Sequence, residues 1–173
     1  MNLEFNNIKK IGVISDTHMP TRASSLPKKI FEYFKDTDLI LHAGDLETLK
    51  VLDDLKKINE NIVAVHGNMD PDNVAKKLPL KLTIKINNFK IGLAHGYGPL
   101  EGIRHRILKE FNEKPDCIVF GHTHQPFNEI ENNILFFNPG SPTDTIFTAI
   151  NSIGILKINN KIKGEIIKIN KNH

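Results

Sequence analysis

The stretch Gly121-His122-Thr123-His124 follows an apolar segment at 116–120 and is the most informative part of this sequence. An apolar run of this length, bounded by glycine, predicts a short buried strand. In an extended backbone, residues two apart point to the same side, so both histidines can face one site. Packed histidines are the alternative, and the choice between the two depends on the rest of the chain.

Further polar motifs follow predicted strands in the same way: Ser15-Asp16-Thr17-His18, Gly44-Asp45, Gly67-Asn68 and His95-Gly96. Open α/β sheets bind ligands beyond the carboxyl ends of their strands. Neighbouring strands lie only ~4.8 Å apart, so side chains that follow several strands can converge on one point. We therefore expect these motifs to form a single site.

The predicted elements change character halfway along the chain. In the first half, strands predicted at 8–14, 38–42 and 61–65 alternate with helices at 26–34 and 46–58, and Asp70 is expected to cap a further short helix. In the second half, a helix is predicted at 100–111, and strands joined in part by Asn-Asn turns are predicted at 80–86, 89–94, 116–120, 127–131, 134–137, 153–158 and 162–169. Two sheets packed face to face, with helices outside, would bury both patterns.

The 173 residues contain no repeat or linker and are 39% hydrophobic, which suits one domain over residues 1–173. The apolar runs are far shorter than the ~20 residues of a membrane span, and the N-terminus lacks a secretory pattern. The single cysteine, Cys117, cannot form an internal disulfide, so we expect a reducing cytoplasm and a thiol packed in the core. A net charge of +3 without long basic runs argues against a nucleic-acid partner, although a nuclease stays an alternative.

The motifs together supply two carboxylates, one amide and four imidazoles, namely Asp16, His18, Asp45, Asn68, His95, His122 and His124. This set exceeds the needs of one ordinary metal ion and suits two ions that share a bridging carboxylate. Imidazole and carboxylate without thiolate favour Mn²⁺, Zn²⁺ or iron. The other internal histidines, His42, His66 and His105, are expected to be packed or surface residues.

In this order, the motifs resemble those of the calcineurin-like metallophosphoesterase superfamily, and most of all its small phosphodiesterases of the YfcE/MJ0936 type. The stretch Asn138-Pro139-Gly140-Ser141 matches a further feature that the family has near its site. The resemblance implies an α/β fold, a four-layer α/β/β/α sandwich in which two mixed sheets pack face to face with helices outside. It also implies one metal ion held by Asp16, His18 and His124, another held by Asn68, His95 and His122, and Asp45 as the bridge.

The activity implied by the resemblance is metal-dependent hydrolysis of a small phosphodiester, with a hydroxide bridging two divalent ions. Manganese is expected, with zinc, iron or nickel as alternatives, and Asp45, Asn68 and His124 would be the residues closest to catalysis. A non-catalytic protein-binding scaffold of the Vps29 type is the alternative from another class. No membrane partner is expected, and a homo-oligomer is compatible with the sequence.

One residue departs from the family pattern. Many superfamily members have a histidine after the Gly-Asn motif that can protonate the leaving group, whereas this chain has Met69. Methionine carries no proton, so we expect a preference for good leaving groups unless Asp70 or a water supplies the proton. Arg22, in the loop after the first motif, is expected to be an exposed surface residue, with contact to the substrate phosphate as the alternative.

Overall fold

The computed structural model describes residues 3–169, so the ends of the predicted domain, 1–2 and 170–173, lie outside the described range. In chain order the strands are β1 (Leu3–Phe5), β2 (Lys10–Ile14), β3 (Leu39–His42), β4 (Ile62–Ala64), β5 (Lys81–Ile86), β6 (Phe89–Ala94), β7 (Cys117–Val119), β8 (Phe127–Glu131), β9 (Ile134–Asn138), β10 (Ser152–Ile158) and β11 (Ile162–Lys168). The helices are α1 (Lys28–Phe34), α2 (Lys50–Lys56), α3 (Asp72–Ala75) and α4 (Ile103–Leu108). None of the helices in this range is long and apolar enough to cross a membrane.

The strands form two mixed sheets. One has the order β11-β10-β2-β3-β4, in which β2, β3 and β4 run parallel and β10 runs antiparallel to both of its neighbours. The other has the order β1-β5-β6-β7-β9-β8, in which β6, β7 and β9 run parallel. The parallel strands of both sheets are the ones that carry the polar motifs at their carboxyl ends.

Alternate side chains of the central strands explain why the sheets pack in layers. In β2, Ile11 and Val13 enter the core between the sheets, while Ile14 packs with the residues of α1 and α2. In β7, Cys117 and Val119 enter the same central core, while Ile118 packs against α4. The order of layers is therefore helices, five-stranded sheet, six-stranded sheet, helix, which confirms the four-layer α/β/β/α sandwich.

Cys117 has no exposed surface, as the sequence predicts, and burial raises the pKa of its thiol. Gly12 explains how α1 lies so close to the sheet, because a Cβ atom there would lie 2.9 Å from the ring of Phe34. The predicted Asn-Asn turn after β5 is also present, with Asn87 at a φ of 53°. Such left-handed backbone is tolerated by asparagine better than by most residues.

The structure differs from the predicted elements in several places, among them α4, which is shorter than the helix predicted at 100–111. Strand β1 was not predicted, because three residues are too few to show a period, and it forms only by pairing with β5. The predicted helix at 46–58 is shorter, since α2 begins at Lys50 and the preceding residues belong to a loop. The prediction that Asp70 caps a helix is wrong: Pro71 is the N-cap of α3, no side chain caps it, and Asp70 bonds to other loops.

Candidate metal centre

The predicted site residues follow five parallel strands of the two sheets. Asp16 and His18 follow β2, Asp45 follows β3, and Asn68 lies beyond β4. His95 follows β6, and the Gly-His-Thr-His motif follows β7 in the other sheet. Because the two sheets pack face to face, these strand ends meet at one edge of the sandwich.

The backbone of these loops is strained in a way that the sequence interpretation did not foresee. Asp16, His18, Asp45, His122 and His124 all have positive φ values, between 40° and 69°. Left-handed backbone is uncommon outside glycine, although Asp and His adopt it more often than most residues, and it concentrates at functional sites. The expectation that extended backbone aligns His122 with His124 was therefore wrong in its geometry, although the side chains do converge on the site.

One group of donors is compact and buried. Ligand atoms of Asp16, His18, Asp45 and His124 all lie within 4.8 Å of one another. The Nε2 atom of His124 is 3.4 Å from Oδ1 of Asp16, and the Nε2 atoms of His18 and His124 are 3.1 Å apart. This is the set that the sequence assigned to one metal ion together with the bridging carboxylate.

The remaining donors lie on the other side of Asp45. The Nε2 atom of His95 is 3.1 Å from Oδ2 of Asp45, which in turn lies 3.6 Å from Nε2 of His18. Asn68 and His122 form a second pair, with Oδ1 and Nδ1 at 3.0 Å, and the His122 ring lies against the ring of His95 at 5.4 Å between centroids. Asp45 is thus the carboxylate shared by the two groups.

Four histidines belong to the cluster. In each of them, the ring nitrogen that points away from the cluster (the outward nitrogen) meets an oxygen that can only accept a hydrogen bond. His18 Nδ1 donates to Glu47 Oε1 at 2.8 Å, and His124 Nδ1 donates to Asp144 Oδ2 at 2.8 Å. The other two donate to backbone carbonyls, His95 Nδ1 to Ala43 at 2.8 Å and His122 Nε2 to Gly98 at 2.9 Å. The proton of each neutral ring therefore lies on its outward side, which leaves a lone pair on the inward nitrogen.

These inward lone pairs face other acceptors. His122 Nδ1 faces the Asn68 oxygen, His95 Nε2 faces the Asp45 carboxylate, and the inward nitrogens of the remaining two histidines face each other. Acceptors held this close repel each other unless protons or metal ions lie between them. Outward hydrogen bonds to carboxylates and carbonyls are also what orients histidines that bind metals. The donor set therefore fits divalent metal ions.

Two buried atoms in the centre also lack hydrogen bonds within residues 3–169, Oδ2 of Asp16 and Nε2 of His95. Burial raises the pKa of Asp16 above its usual range. Burial opposes the charged form of His95, but the carboxylates of Asp45 and Asp16 outweigh it and raise the pKa of His95 to about 9. In the metal-free protein a second proton on His95, on the inward nitrogen beside Asp45, therefore balances part of the buried negative charge, and a bound cation would displace that proton.

A carboxylate that was misread from the sequence holds the loops together. Asp70 Oδ2 accepts from the backbone N–H groups of Asp45 (3.0 Å) and Gly67 (2.7 Å). Its Oδ1 accepts from those of Leu46 (2.8 Å) and Glu47 (2.6 Å). The Asp-Pro pair at this position is typical of a helix start, so the sequence offered no signal for this role.

Glu47 and Asp144 were also missed, because nothing local distinguishes them from surface carboxylates. The family feature that ends at Ser141 does lie at the site: Ser141 Oγ donates to the Asp16 carbonyl at 2.7 Å, and Asn138 Nδ2 donates to the Gly121 carbonyl at 2.8 Å. It therefore ties the first and last motifs together.

The other histidines lie outside the donor cluster, as predicted. His105 is exposed and His66 is half-buried. His42 is buried beneath the loops, where its Nδ1 accepts from the Gly44 N–H at 3.2 Å and its Nε2 lies 3.2 Å from Oγ1 of Thr17. Burial, together with the charge of His95, lowers the pKa of His42 to about 3, so the ring stays neutral.

The metal centre opens into a cleft whose walls are largely apolar. The cleft is lined by donor residues and by residues of the surrounding loops, among them Arg22, Met69, Leu100, Gln125 and Phe147. The side chain of Arg22 is only 23% exposed, and its Nε lies 3.6 Å from Oδ1 of Asp144. The expectation of an exposed surface arginine was therefore wrong.

The chain is similar to known proteins over most of its length. A family model described as the calcineurin-like phosphoesterase superfamily domain matches residues 10–161. A probable metallophosphoesterase of Methanocaldococcus jannaschii, MJ0623, is 42% identical over 163 residues, which cover 92% of this chain and 81% of the relative. Phosphodiesterase MJ0936 of the same organism is 31% identical over 176 residues, which cover 91% of this chain and 98% of the relative.

Solved structures share the fold over nearly the whole chain. A structure described as a novel archaeal phosphodiesterase matches with a TM-score of 0.74 and 27% identity, covering 92% of this chain and 99% of that one. A Vps29 variant from Entamoeba histolytica matches with a TM-score of 0.72 and 25% identity, covering 93% and 99%. The matched family model and the two relatives confirm the resemblance that the sequence motifs indicate, and the chain belongs to the calcineurin-like phosphoesterase superfamily.

Proposed function

We propose that this protein is a phosphodiesterase that uses two divalent metal ions, with manganese as the expected metal, and that it acts on a small phosphodiester. The observation that carries the proposal is the set of inward histidine nitrogens that converge with carboxylate and amide oxygens around Asp45. A relative named phosphodiesterase MJ0936 supports the choice of a diester.

The donors divide into two groups that meet at Asp45. Asp16, His18 and His124 would hold one ion, while a second would be held by the three donors Asn68, His95 and His122. Two such ions would neutralise charge on the phosphoryl oxygens and lower the pKa of an attacking water towards 7. Glu47 and Asp144 keep their histidines in the tautomer that can bind a cation.

Neither of the two residues that follow Asn68 supplies a proton to the leaving group. Met69 carries no proton, and it is exposed at the cleft. Asp70, the alternative donor, has both oxygens occupied by four backbone N–H groups and so holds the loops instead. We therefore propose that the enzyme favours esters with good leaving groups.

A protein-binding scaffold of the Vps29 type is the competing function, because Vps29 shares the fold. A protein-binding scaffold needs no set of aligned lone pairs, whereas this chain keeps every predicted donor type in one cleft. A cytoplasmic location is part of the same proposal, supported by a single cysteine that cannot form an internal disulfide.

The test is hydrolysis of bis(p-nitrophenyl) phosphate by protein stripped with a chelator and reloaded with Mn²⁺. We expect turnover that depends on the metal, that saturates at two ions per chain, and that exceeds turnover of the monoester p-nitrophenyl phosphate. The variant His105→Ala, at an exposed position of α4, serves as the matched control and should keep full activity. Absence of diester hydrolysis in the metal-loaded protein would favour the scaffold, and a preference for the monoester would make it a phosphomonoesterase.

A further inference from the structure

Phe147 is an exposed aromatic ring held at the mouth of the metal cleft. Its side chain is 61% exposed, and its ring meets the ring of His124 edge-on, with centroids 5.4 Å apart. The Phe147 backbone N–H donates to Asp144 Oδ2 at 2.8 Å, the same oxygen that accepts from His124 Nδ1. One carboxylate therefore fixes both a candidate metal ligand and the exposed ring.

The loop around Phe147 has additional anchors. The Ile146 N–H donates to Asp144 Oδ1 at 3.1 Å, and Asn151 Nδ2 donates to the Asp144 carbonyl at 2.6 Å. Ile146 is as exposed as Phe147, at 63%, but it is not among the residues that line the cleft. Of these two neighbouring apolar side chains, the loop thus directs the aromatic one towards the metal centre.

Two polar groups accompany the ring. The guanidinium carbon of Arg22 lies 5.5 Å from the centroid of Phe147, and Gln125 lines the same cleft. The side-chain amide of Gln125 makes no hydrogen bond to any residue between 3 and 169. An aromatic face and a planar cation both stack on flat π systems, and a free amide can pair with the edge of such a system. An alkyl chain could contact the ring of Phe147, but it could neither stack on the guanidinium nor pair with the amide.

We infer that Phe147, with Arg22 and Gln125, forms a subsite for the planar base of a nucleoside phosphoester. The inference rests on the proposed function and narrows its substrate to nucleoside phosphodiesters. In such an ester the base lies one sugar ring away from the phosphorus. Phe147 is likewise separated from the metal centre by one ring, the imidazole of His124. The phosphate would occupy the metal centre while the base stacks on the ring of Phe147.

The test is direct binding by calorimetry to the Mn²⁺-loaded protein. Adenosine 5′-monophosphate and ribose 5-phosphate differ only in the base, so their affinity ratio isolates the subsite. We expect the adenosine ligand to bind about tenfold more tightly to the unaltered protein. In Phe147→Ala and Phe147→Leu the ratio should fall to about two or less, and Phe147→Trp should restore it.

Ile146→Ala is the matched control, because it removes an equally exposed apolar side chain from the same loop and should keep the tenfold ratio. Hexyl phosphate tests the aliphatic alternative: if Phe147→Ala weakens it as much as it weakens the adenosine ligand, the base assignment is overturned. Equal affinities for the two sugar phosphates in the unaltered protein overturn the subsite but leave the proposed function standing. If neither sugar phosphate nor inorganic phosphate binds the Mn²⁺-loaded protein, both the subsite and the proposed function are overturned.

Discussion

The carboxylate of Asp70 accepts a hydrogen bond from the backbone N–H of Asp45 at 3.0 Å, although the two residues are 25 positions apart in the chain. The same carboxylate accepts from three further N–H groups, one of them in the Gly67 loop. Asp45 in turn accepts from the Met69 N–H at 2.8 Å. The loop that carries the bridging candidate and the loop that carries Asn68 therefore hold each other through two acidic side chains.

We predict that Asp70→Asn destabilises the metal-free protein by about 2 to 6 kcal/mol. The amide NH₂ cannot accept, so about two of the four backbone N–H groups lose their partner, and each unsatisfied buried group costs about 1 to 3 kcal/mol. Urea unfolding in the presence of a chelator measures the change. The control is Asp72→Asn at an exposed position, which should shift the free energy of unfolding by less than about 0.5 kcal/mol. Equal shifts in both variants would contradict the role of Asp70.

Asp45→Ala should abolish retention of two metal ions and lower turnover about a thousandfold or more. The reason is that Asp45 is the carboxylate shared by both groups of donors, at 3.1 Å from His95 and 3.6 Å from His18. Metal analysis after gel filtration, together with the diester assay, checks both effects. His105→Ala, treated in parallel, should retain the metal and the activity. Near-normal hydrolysis by the Asp45 variant would defeat the assignment of two ions.

The strands other than β1, and the candidate donors, could be predicted because both leave local signals. Cys117, Ile118 and Val119 are all buried, on alternate faces of β7, and stand out as an apolar run; each candidate donor lies directly after such a run or a few residues beyond it. Helix ends were predicted less well, since the leucine period at 46–58 continues from α2 into the loop before it. The spacing of apolar residues shows which residues are buried, but it does not show where the hydrogen bonds of a helix begin.

The supporting carboxylates could not be predicted, because their partners are distant in sequence. Glu47 bonds to His18 across 29 positions, and Asp144 bonds to His124 across 20. An acidic residue in a polar loop looks the same in the sequence whether it is solvated or buried against a histidine. Only the packing of the two sheets brings these pairs together.

His42 gives a prediction for the pH dependence of stability. Its pKa is about 3 in the folded protein, below the ordinary value of 6.5, so the unfolded chain binds more protons between these values. The free energy of unfolding should therefore fall as the pH is lowered from 6.5 towards 3, with a slope from this group of up to about 1.4 kcal/mol per pH unit. Urea unfolding of the metal-free protein at several pH values should show a shallower slope for His42→Gln. Identical slopes would show that His42 is protonated in the folded state.

Asp144→Asn should weaken Mn²⁺ binding by about 10- to 100-fold. Burial opposes ionisation of Asp144, but hydrogen bonds from His124 and from two backbone N–H groups hold its pKa below the usual range. The amide would turn a donor towards His124 Nδ1 and so disfavour the tautomer whose inward nitrogen can bind a cation. Metal titration by calorimetry measures the loss, and Glu129→Gln, on the exposed side of β8, should leave the affinity unchanged. An unchanged affinity in the Asp144 variant would remove it from the metal centre.

Met69→His should raise activity most on esters with poor leaving groups. The Met69 side chain is 57% exposed and lines the cleft, while its backbone N–H is fixed to Asp45 Oδ1 at 2.8 Å. An imidazole at this position can carry a proton to the departing oxygen, and general acid catalysis adds about 10²- to 10⁴-fold where the leaving group is a strong base. A leaving group such as p-nitrophenolate departs without help and should gain little.

A series of aryl methyl phosphates with leaving groups of increasing pKa measures this dependence. We expect the plot of log kcat/KM against leaving-group pKa to be steep for the unaltered protein and flatter for Met69→His, with a gain of up to about 100-fold at the basic end. Met69→Gln is the matched control, because glutamine has a similar size and a polar end but carries no titratable proton. The slope should therefore change with histidine and not with glutamine. Position 69 departs from the superfamily pattern because it lacks a proton donor, not because of its size or polarity. A uniform gain across the series, or the same flattening with glutamine, would mean that Met69 affects substrate positioning and not protonation.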